Sequence, residues 1–90
     1  MREPAKFSSM ELEIVTPDRK VFDGEVKSAT FPGSKGQFQV LENHAPIISS
    51  LEKGELRYVD KDGSHSMIVD GGVVEVLNNR IIVLAESVAR

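Results

Sequence analysis

Turn-forming residues interrupt this chain so often that a long helix is excluded. An isolated helix needs roughly 12–15 residues with an apolar stripe and capping residues, and no uninterrupted segment of that kind exists. Only Ser87 to Arg90 could begin a helix. The turns are marked by Thr16-Pro17-Asp18, Lys53-Gly54, Asp62-Gly63, Gly71-Gly72 and Asn78-Asn79. The pattern predicts an all-β fold, a small antiparallel β-sandwich or flattened barrel of about ten short strands.

Alternating apolar residues mark the predicted core, because every second side chain of a half-buried strand points inward. Segments 73–77 and 81–84 are apolar on both faces, so we place them at the centre of the sheet. Val26, Ala29 and Phe31 break strict alternation, which predicts a bulge near Lys27-Ser28. The residues expected to be mostly buried are Leu12, Ile14, Phe38, Val40, Val74, Val76, Ile81 and Val83.

The composition argues against several functional classes. The chain has 90 residues, enough for one small domain, and no cysteine, so it has no disulfide or thiolate site. Its formal net charge is -3 with both signs interspersed, which argues against nucleic-acid binding. Its apolar runs fall far short of the roughly 18 residues that span a bilayer, so we expect no direct membrane insertion.

The first nine residues differ from the rest. They lack the apolar segment of a signal peptide and precede the first alternating strand. We therefore divide the chain into an N-terminal extension over residues 1–9, expected to be disordered and dispensable, and one sandwich domain over residues 10–90.

No catalytic or metal-binding pattern emerges from the sequence. His44 and His65 are the only histidines, and a zinc site needs three or four ligands. Ser49 and Ser50 lack an accompanying base and oxyanion site. The segment Gly33 to Gly36 lacks the Lys-Ser/Thr pair and the helix of a phosphate loop. We expect no catalytic residue, no metal and no cofactor, and interpret the chain as a non-enzyme.

One lysine allows an alternative function. Lys61 lies between Asp60 and Asp62 at a predicted hairpin tip, followed by Gly63. A lysine in such a place is the modified residue of lipoyl carrier domains, which are also small sandwiches. An ordinary solvated turn explains these residues as well, so the lipoyl-type carrier is kept as the alternative.

A series of short motifs runs along the chain in a definite order. They are Phe22-x-Gly24, Gly33-Ser34-Lys35-Gly36, His44-Ala45-Pro46, Lys53-Gly54, Asp70-Gly71-Gly72 and the strand Asn79 to Ala85. Each motif is weak alone, but their order and spacing resemble the epsilon subunit of F-type ATP synthases. The resemblance extends from about Glu11 to Arg90.

The resemblance implies a function in the central stalk, on the rotor of the enzyme. The domain would be the N-terminal β-sandwich that clamps the gamma subunit to the membrane c-ring, so that ion-driven rotation is coupled to ATP synthesis. It would sit peripherally on the cytoplasmic face of a bacterial inner membrane, as a non-catalytic subunit. A rigid sandwich suits this mechanical task, because packed sheets deform little.

The resemblance also implies two sets of contact residues. The c-ring would contact Ser34, Lys35, Gln37, Glu42, Asn43 and His44. The gamma subunit would contact Thr16, Ala45 and Pro46. For contact with the c-ring, we expect the loops Gly33–Gly36 and Glu42–Pro46 to lie at the same end of the sandwich.

The chain departs from the family in two places. Members often carry an acid where Lys35 and Gln37 stand, and Pro-Gly where Glu42 and Asn43 stand, so the charge of the contact loops differs here. Most members continue after the position of Ala85 into two helices that can inhibit hydrolysis and in some bind ATP. We expect a naturally short subunit without these inhibitory C-terminal helices and without ATP binding.

Overall fold

The computed structural model describes residues 9–89, which form ten strands and no helix. The strands are β1 (Met10–Val15), β2 (Lys20–Val26), β3 (Ser28–Gly33), β4 (Gly36–Val40), β5 (Ile47–Leu51), β6 (Gly54–Asp60), β7 (Gly63–Val69), β8 (Gly72–Leu77), β9 (Arg80–Ala85) and β10 (Val88–Ala89). The predicted all-β class and strand number are confirmed. The disorder predicted for residues 1–9 falls outside the described residues, except for Ser9.

All ten strands belong to one curled sheet whose halves pack face to face. The half that we call layer 1 has the order β5-β8-β9-β1-β2, and layer 2 has the order β4-β3-β6-β7-β10. Neighbours are antiparallel except β1 and β9, which are parallel. The predicted central position of β8 and β9 is confirmed, since both lie between β5 and β1.

The described chain passes between the layers five times, and two of these passages are the short corners at Lys27 and Glu52. At Lys27 the chain leaves β2, which pairs with β1, and enters β3, which pairs with β4 and β6. At Glu52 it leaves β5 for β6, and the Glu52 N–H donates to the Pro32 carbonyl at 2.9 Å. The bulge predicted near Lys27-Ser28 is therefore a corner between layers. The irregularity within a ladder lies instead at Ile14 and Val15.

A single apolar core fills the space between the layers. The largest buried side chains come from both of them, with Leu12, Ile14 and Ile81 in layer 1 and Phe31 and Leu56 in layer 2. No polar side chain among the described residues is buried. The expected core positions are confirmed, except that Phe38 is only half-buried and packs on the core from edge strand β4, 5.6 Å from Phe31 between ring centroids.

The C-terminal segment is a strand, and the helix start considered for Ser87 to Arg90 is wrong within the described residues. Val88 pairs with Val69, and Ala89 pairs with Ile68. The Asp70 N–H also donates to the Ser87 carbonyl at 3.1 Å. The unpaired edge of β7 supplies the hydrogen-bond partners that a short isolated helix would lack.

Gly72 explains the Gly-Gly pair before β8. Its φ of 134° is unfavourable for residues with a side chain. A Cβ there would also collide with the Leu84 carbonyl oxygen of β9. The glycine thus allows the backbone at the start of β8 to approach the backbone of β9 closely. We call this end of layer 1 the Gly72 end, and the opposite end, at the β8–β9 turn, the Asn79 end.

Candidate protein-interaction site

The outer face of layer 1 exposes large apolar side chains. Ile48 of β5 is 76% exposed, Leu84 of β9 is 56% exposed, and Val73 and Leu77 of β8 are 42% and 47% exposed. β8 and β9 carry apolar residues on both sides, so burying one side in the core leaves the other in solvent. We call Ile48, Val73, Leu77, Ile82 and Leu84 the apolar face. Contiguous exposed patches of this kind mark interaction sites.

Cross-strand pairing places the apolar face in rows. Ser50, Val73 and Leu84 form one row across β5, β8 and β9, and Ile48, Glu75 and Ile82 form the next. Two shallow depressions of about 420 and 250 Å³ lie on either side of β8, and both are lined by Glu75 and Leu77. The face is therefore a corrugated apolar surface with one carboxylate.

Charged residues on β1 and β2 border the apolar face. Arg80 contacts Glu11 at 2.9 Å and Glu13 at 3.6 Å, and Lys20 contacts Glu13 and Asp23, each at 3.2 Å. The hydrogen bond to Asp23, followed by that to Glu13, raises the pKa of Lys20 above its ordinary value. These exposed pairs contribute little to stability, but they give the apolar face a polar rim of the kind found around protein interfaces.

The outer face of layer 2 is polar. Its exposed side chains include Gln37 and Gln39 of β4, Glu55 and Arg57 of β6, and Ser66 of β7. Arg57 bonds to Glu55 at 3.1 Å. Ile68 is an apolar exception, at 41% exposure beside β10. This face has the character of ordinary solvated surface.

The turn predicted to contact the c-ring joins β3 and β4. The Ser34 N–H donates to the Ser50 carbonyl at 3.0 Å, and the two hydroxyls lie 2.5 Å apart. Ser50 pairs with Val73 near the start of β8, so this turn lies at the Gly72 end. Lys35 and Gln37 are exposed there.

The loop containing His44 lies at the Asn79 end. The Asn43 N–H donates to Asn79 Oδ1 at 2.6 Å, and Asn79 Nδ2 donates to Asn43 Oδ1 at 3.2 Å. Both residues have positive φ, of 67° and 63°, which asparagine tolerates. His44 is half-buried, and its Nδ1 lies 2.7 Å from the Ala45 carbonyl oxygen. Glu42 is exposed.

The prediction that both loops lie at the same end is wrong. β4 runs away from the Ser34 turn, and β5 then pairs along β8 from Val76 back to Gly72. The two loops therefore lie at opposite ends of β5. The six residues assigned to the c-ring are divided into Ser34, Lys35 and Gln37 at the Gly72 end and Glu42, Asn43 and His44 at the Asn79 end.

The three residues predicted to contact gamma flank the apolar face. Thr16 follows β1 at the Gly72 end, because Val15 pairs with Leu84. Ala45 and Pro46 precede β5 at the Asn79 end and are exposed. They are not one cluster, and the apolar face lies between them. The apolar face was not predicted from the sequence, although the two-sided apolar pattern of β8 and β9 indicates it.

Lys61 lies at the tip of the β6–β7 hairpin. It is exposed beside a groove of about 300 Å³ that Phe22, Val26 and Lys27 also line. Asp60 Oδ1 accepts a hydrogen bond from the Asp62 N–H at 2.8 Å, and it also lies 3.1 Å from His65 Nε2. These contacts fix an ordinary acidic hairpin turn.

Neither a metal site nor a spanning helix occurs in the part of the chain that the structure describes. No three His, Cys, Asp or Glu side chains in residues 9–89 are grouped to hold a metal ion. The same residues contain no helix long and apolar enough to cross a membrane.

Comparison with known sequences gives the family. The family described as "ATP synthase, Delta/Epsilon chain, beta-sandwich domain" matches residues 9–90. The ATP synthase epsilon chain of Maridesulfovibrio salexigens is 44% identical over 79 residues, which are 88% of this chain and 56% of that protein. The epsilon chain of Pelotomaculum thermopropionicum is 43% identical over 82 residues, 91% of this chain and 61% of that protein.

The chain belongs to the ATP synthase delta/epsilon family. It spans 56% to 61% of the length of these two curated relatives. The family match covers the sandwich and leaves no support for the lipoyl-carrier alternative, since Lys61 lies in a domain of a different family.

Two solved structures share the fold of this delta/epsilon domain. A chain of the Euglena gracilis mitochondrial ATP synthase, solved as "OSCP/F1/c-ring in rotational state 1", superposes with a TM-score of 0.85 at 16% identity, covering 99% of this chain and 57% of that chain. A chain of the Tetrahymena thermophila mitochondrial ATP synthase, solved as "central stalk/cring", superposes with a TM-score of 0.74 at 17% identity. The match covers 93% of this chain and 68% of that chain. At these identities the likeness establishes the fold.

Proposed function

We propose that this chain is a non-catalytic coupling component of an ATP synthase rotor, binding the gamma subunit with its apolar face and the c-ring with its Ser34 turn. The complex would lie at a bacterial inner membrane, with this domain on the cytoplasmic side. The chain itself would bind no nucleotide. Its task is to transmit torque between two partners without deforming.

The apolar face is the observation that carries this proposal. A solvated sandwich needs only one apolar face per sheet, and layer 2 follows that rule except at Ile68. Layer 1 does not, because Ile48, Val73 and Leu84 are apolar and exposed. An obligate partner that covers these side chains would remove them from water, and such interfaces resemble a domain core cut in half.

The placement of the loops suggests how the two partners divide the surface. Ala45 and Pro46 continue the apolar face at the Asn79 end, and Thr16 borders it at the Gly72 end. We assign these residues, with Glu42, Asn43 and His44, to the gamma side. The Ser34 turn belongs to layer 2 and is polar, so Ser34, Lys35 and Gln37 remain for the polar loops of the c-ring.

The packing between the layers suits a part that transmits force. Leu12, Phe31 and Leu56 are fully buried, and close-packed interiors have low compressibility. The corners at Lys27 and Glu52 join the two layers covalently. A load applied at one end of the domain is therefore carried through both layers.

Cysteine crosslinking in the assembled complex tests the proposal. The chain contains no cysteine, so each introduced cysteine is unique. The chain is co-expressed with the gamma subunit and c-ring of the same source. Lys35→Cys should crosslink to a cysteine in the polar loop of the ring subunit, and Ile48→Cys should crosslink to gamma.

The matched control is Ser66→Cys on the outer face of layer 2. Ser66 is also an exposed strand residue, but it lies outside both proposed contacts and should crosslink to neither partner. Failure of both test cysteines in an intact complex, or equal crosslinking by Ser66→Cys, would contradict the proposal.

A further inference from the structure

Glu75 is the single carboxylate within the apolar face. Ile48 and Ile82 lie beside it on the neighbouring strands, and Val73 and Leu77 precede and follow it on the same side of β8. None of the ion pairs within the described residues involves Glu75. The carboxylate is exposed, so water satisfies it in the free chain.

Covering the apolar face would remove that water. An ionised carboxylate that loses its water without gaining a counter-charge is strongly unfavourable in a protein interface. Arg80 lines one depression together with Glu75, but its guanidinium already contacts Glu11 and Glu13. The missing cation must therefore come from the partner.

We propose that Glu75 sets the register and specificity of this interface by pairing with a Lys or Arg side chain of the gamma subunit, which projects from an otherwise apolar surface. This inference rests on the proposed function and adds the chemistry of the contact. Arginine fits best, because its planar guanidinium pairs with a carboxylate through two hydrogen bonds and is the usual cation of interface ion pairs.

The rim of the face favours the same partner. β1 and β2 carry more carboxylates than the neighbouring cations can neutralise. The carboxylates are Glu11, Glu13, Asp23 and Glu25, and the two cations that bond to some of them are Lys20 and Arg80. A partner with basic residues would be attracted to this side of layer 1, and such attraction raises association rates. Glu75 would then select the final register, since its carboxylate meets the partner's cation at only one relative position of the two surfaces.

Binding kinetics of the full chain with purified gamma subunit test the inference. Glu75→Gln keeps the shape and removes the charge. It should weaken binding at least about 30-fold, mainly through faster dissociation, because a buried cation of the partner loses its counter-charge. Glu75→Lys should abolish binding, and a Glu at the partner's cation should restore it.

The matched control is Glu25→Gln, which changes the net charge equally at the edge of the same layer. It should alter the dissociation rate less than about twofold, as expected for a rim charge. Unfolding midpoints of both variants should equal that of the unchanged chain, since neither side chain is buried.

The outcomes separate this inference from the proposed function. If Glu75→Gln binds gamma as tightly as the unchanged chain, or more tightly, while Leu84→Asp loses binding, the pairing of Glu75 is wrong and the interface stands. If the unchanged chain does not bind gamma, or Leu84→Asp binds equally well, both fail.

Discussion

The two outer faces of the sandwich differ although both belong to one sheet. Layer 1 exposes Ile48, Val73 and Leu84 on its strands, whereas layer 2 exposes the polar strand residues Gln37 and Ser66. Folding cannot explain the difference, because both layers bury their inner faces in the same core. We therefore expect the apolar outer face to reflect binding to a partner, whereas the inner faces reflect folding.

The largest expected effect separates the inner faces from the apolar face. Ile81→Ala in layer 1 and Leu56→Ala in layer 2 should each lower the free energy of unfolding by about 2–5 kcal/mol, because both side chains are fully buried. Ile48→Ala should change it by less than about 0.5 kcal/mol. Urea unfolding followed by circular dichroism measures all three. A large loss for Ile48→Ala would mean that the apolar face serves stability.

The next effect separates the two outer faces by binding. Leu84→Asp should weaken binding to gamma at least about 100-fold, because it places an unpaired charge in a desolvated contact. Ser66→Asp, with the same added charge on layer 2, should leave the affinity unchanged. Titration calorimetry with the full chain gives both values. Equal losses would show that the two faces do not differ in function.

A smaller effect concerns the ends of layer 2. Lys35→Glu reverses the charge of the Ser34 turn and should change affinity for the c-ring by up to about fivefold, since exposed ion pairs contribute about 0–1 kcal/mol. Lys61→Glu makes the same charge change at the hairpin on the opposite end and should have no effect. Binding to rings in detergent at low and high salt is the measurement. An effect of Lys61→Glu as large as that of Lys35→Glu would contradict the assignment.

The smallest effect is a pH dependence in layer 2. Burial raises the pKa of Asp60, but hydrogen bonds from the Asp62 N–H, His65 and the Gly63 N–H outweigh it, so the pKa lies below its ordinary value of 3.8. The stabilisation is thus complete above that value and is lost as the pH falls through the folded-state pKa.

Asp60→Asn tests this dependence. It should lower the urea midpoint slightly at pH 7, and the difference should shrink in acid below the folded-state pKa. Asp23→Asn, at an exposed ion pair of layer 1, is the control for general charge effects. A difference for Asp60→Asn that persists unchanged in acid would exclude the carboxylate as its cause.

The core residues show how far local pattern extends. Leu12, Ile14 and Val40 were predicted to be buried from alternation alone and are buried, because side-chain direction in a strand has a fixed period of two. Phe38 followed the same rule yet is half-buried, since β4 is an edge strand with a neighbour on one side only. Alternation gives the direction of a side chain and not the number of its neighbours.

The all-β class, most of the turns and the family followed from the amino-acid sequence, because turn residues, alternation and motif order are local properties. The ends that the two loops occupy, the apolar faces that stay in solvent and the apolar neighbours of Glu75 became known only from the folded chain. These depend on strand order and layer packing. Pairings such as Ile48 with Glu75 join residues far apart in the chain, and no local pattern specifies them.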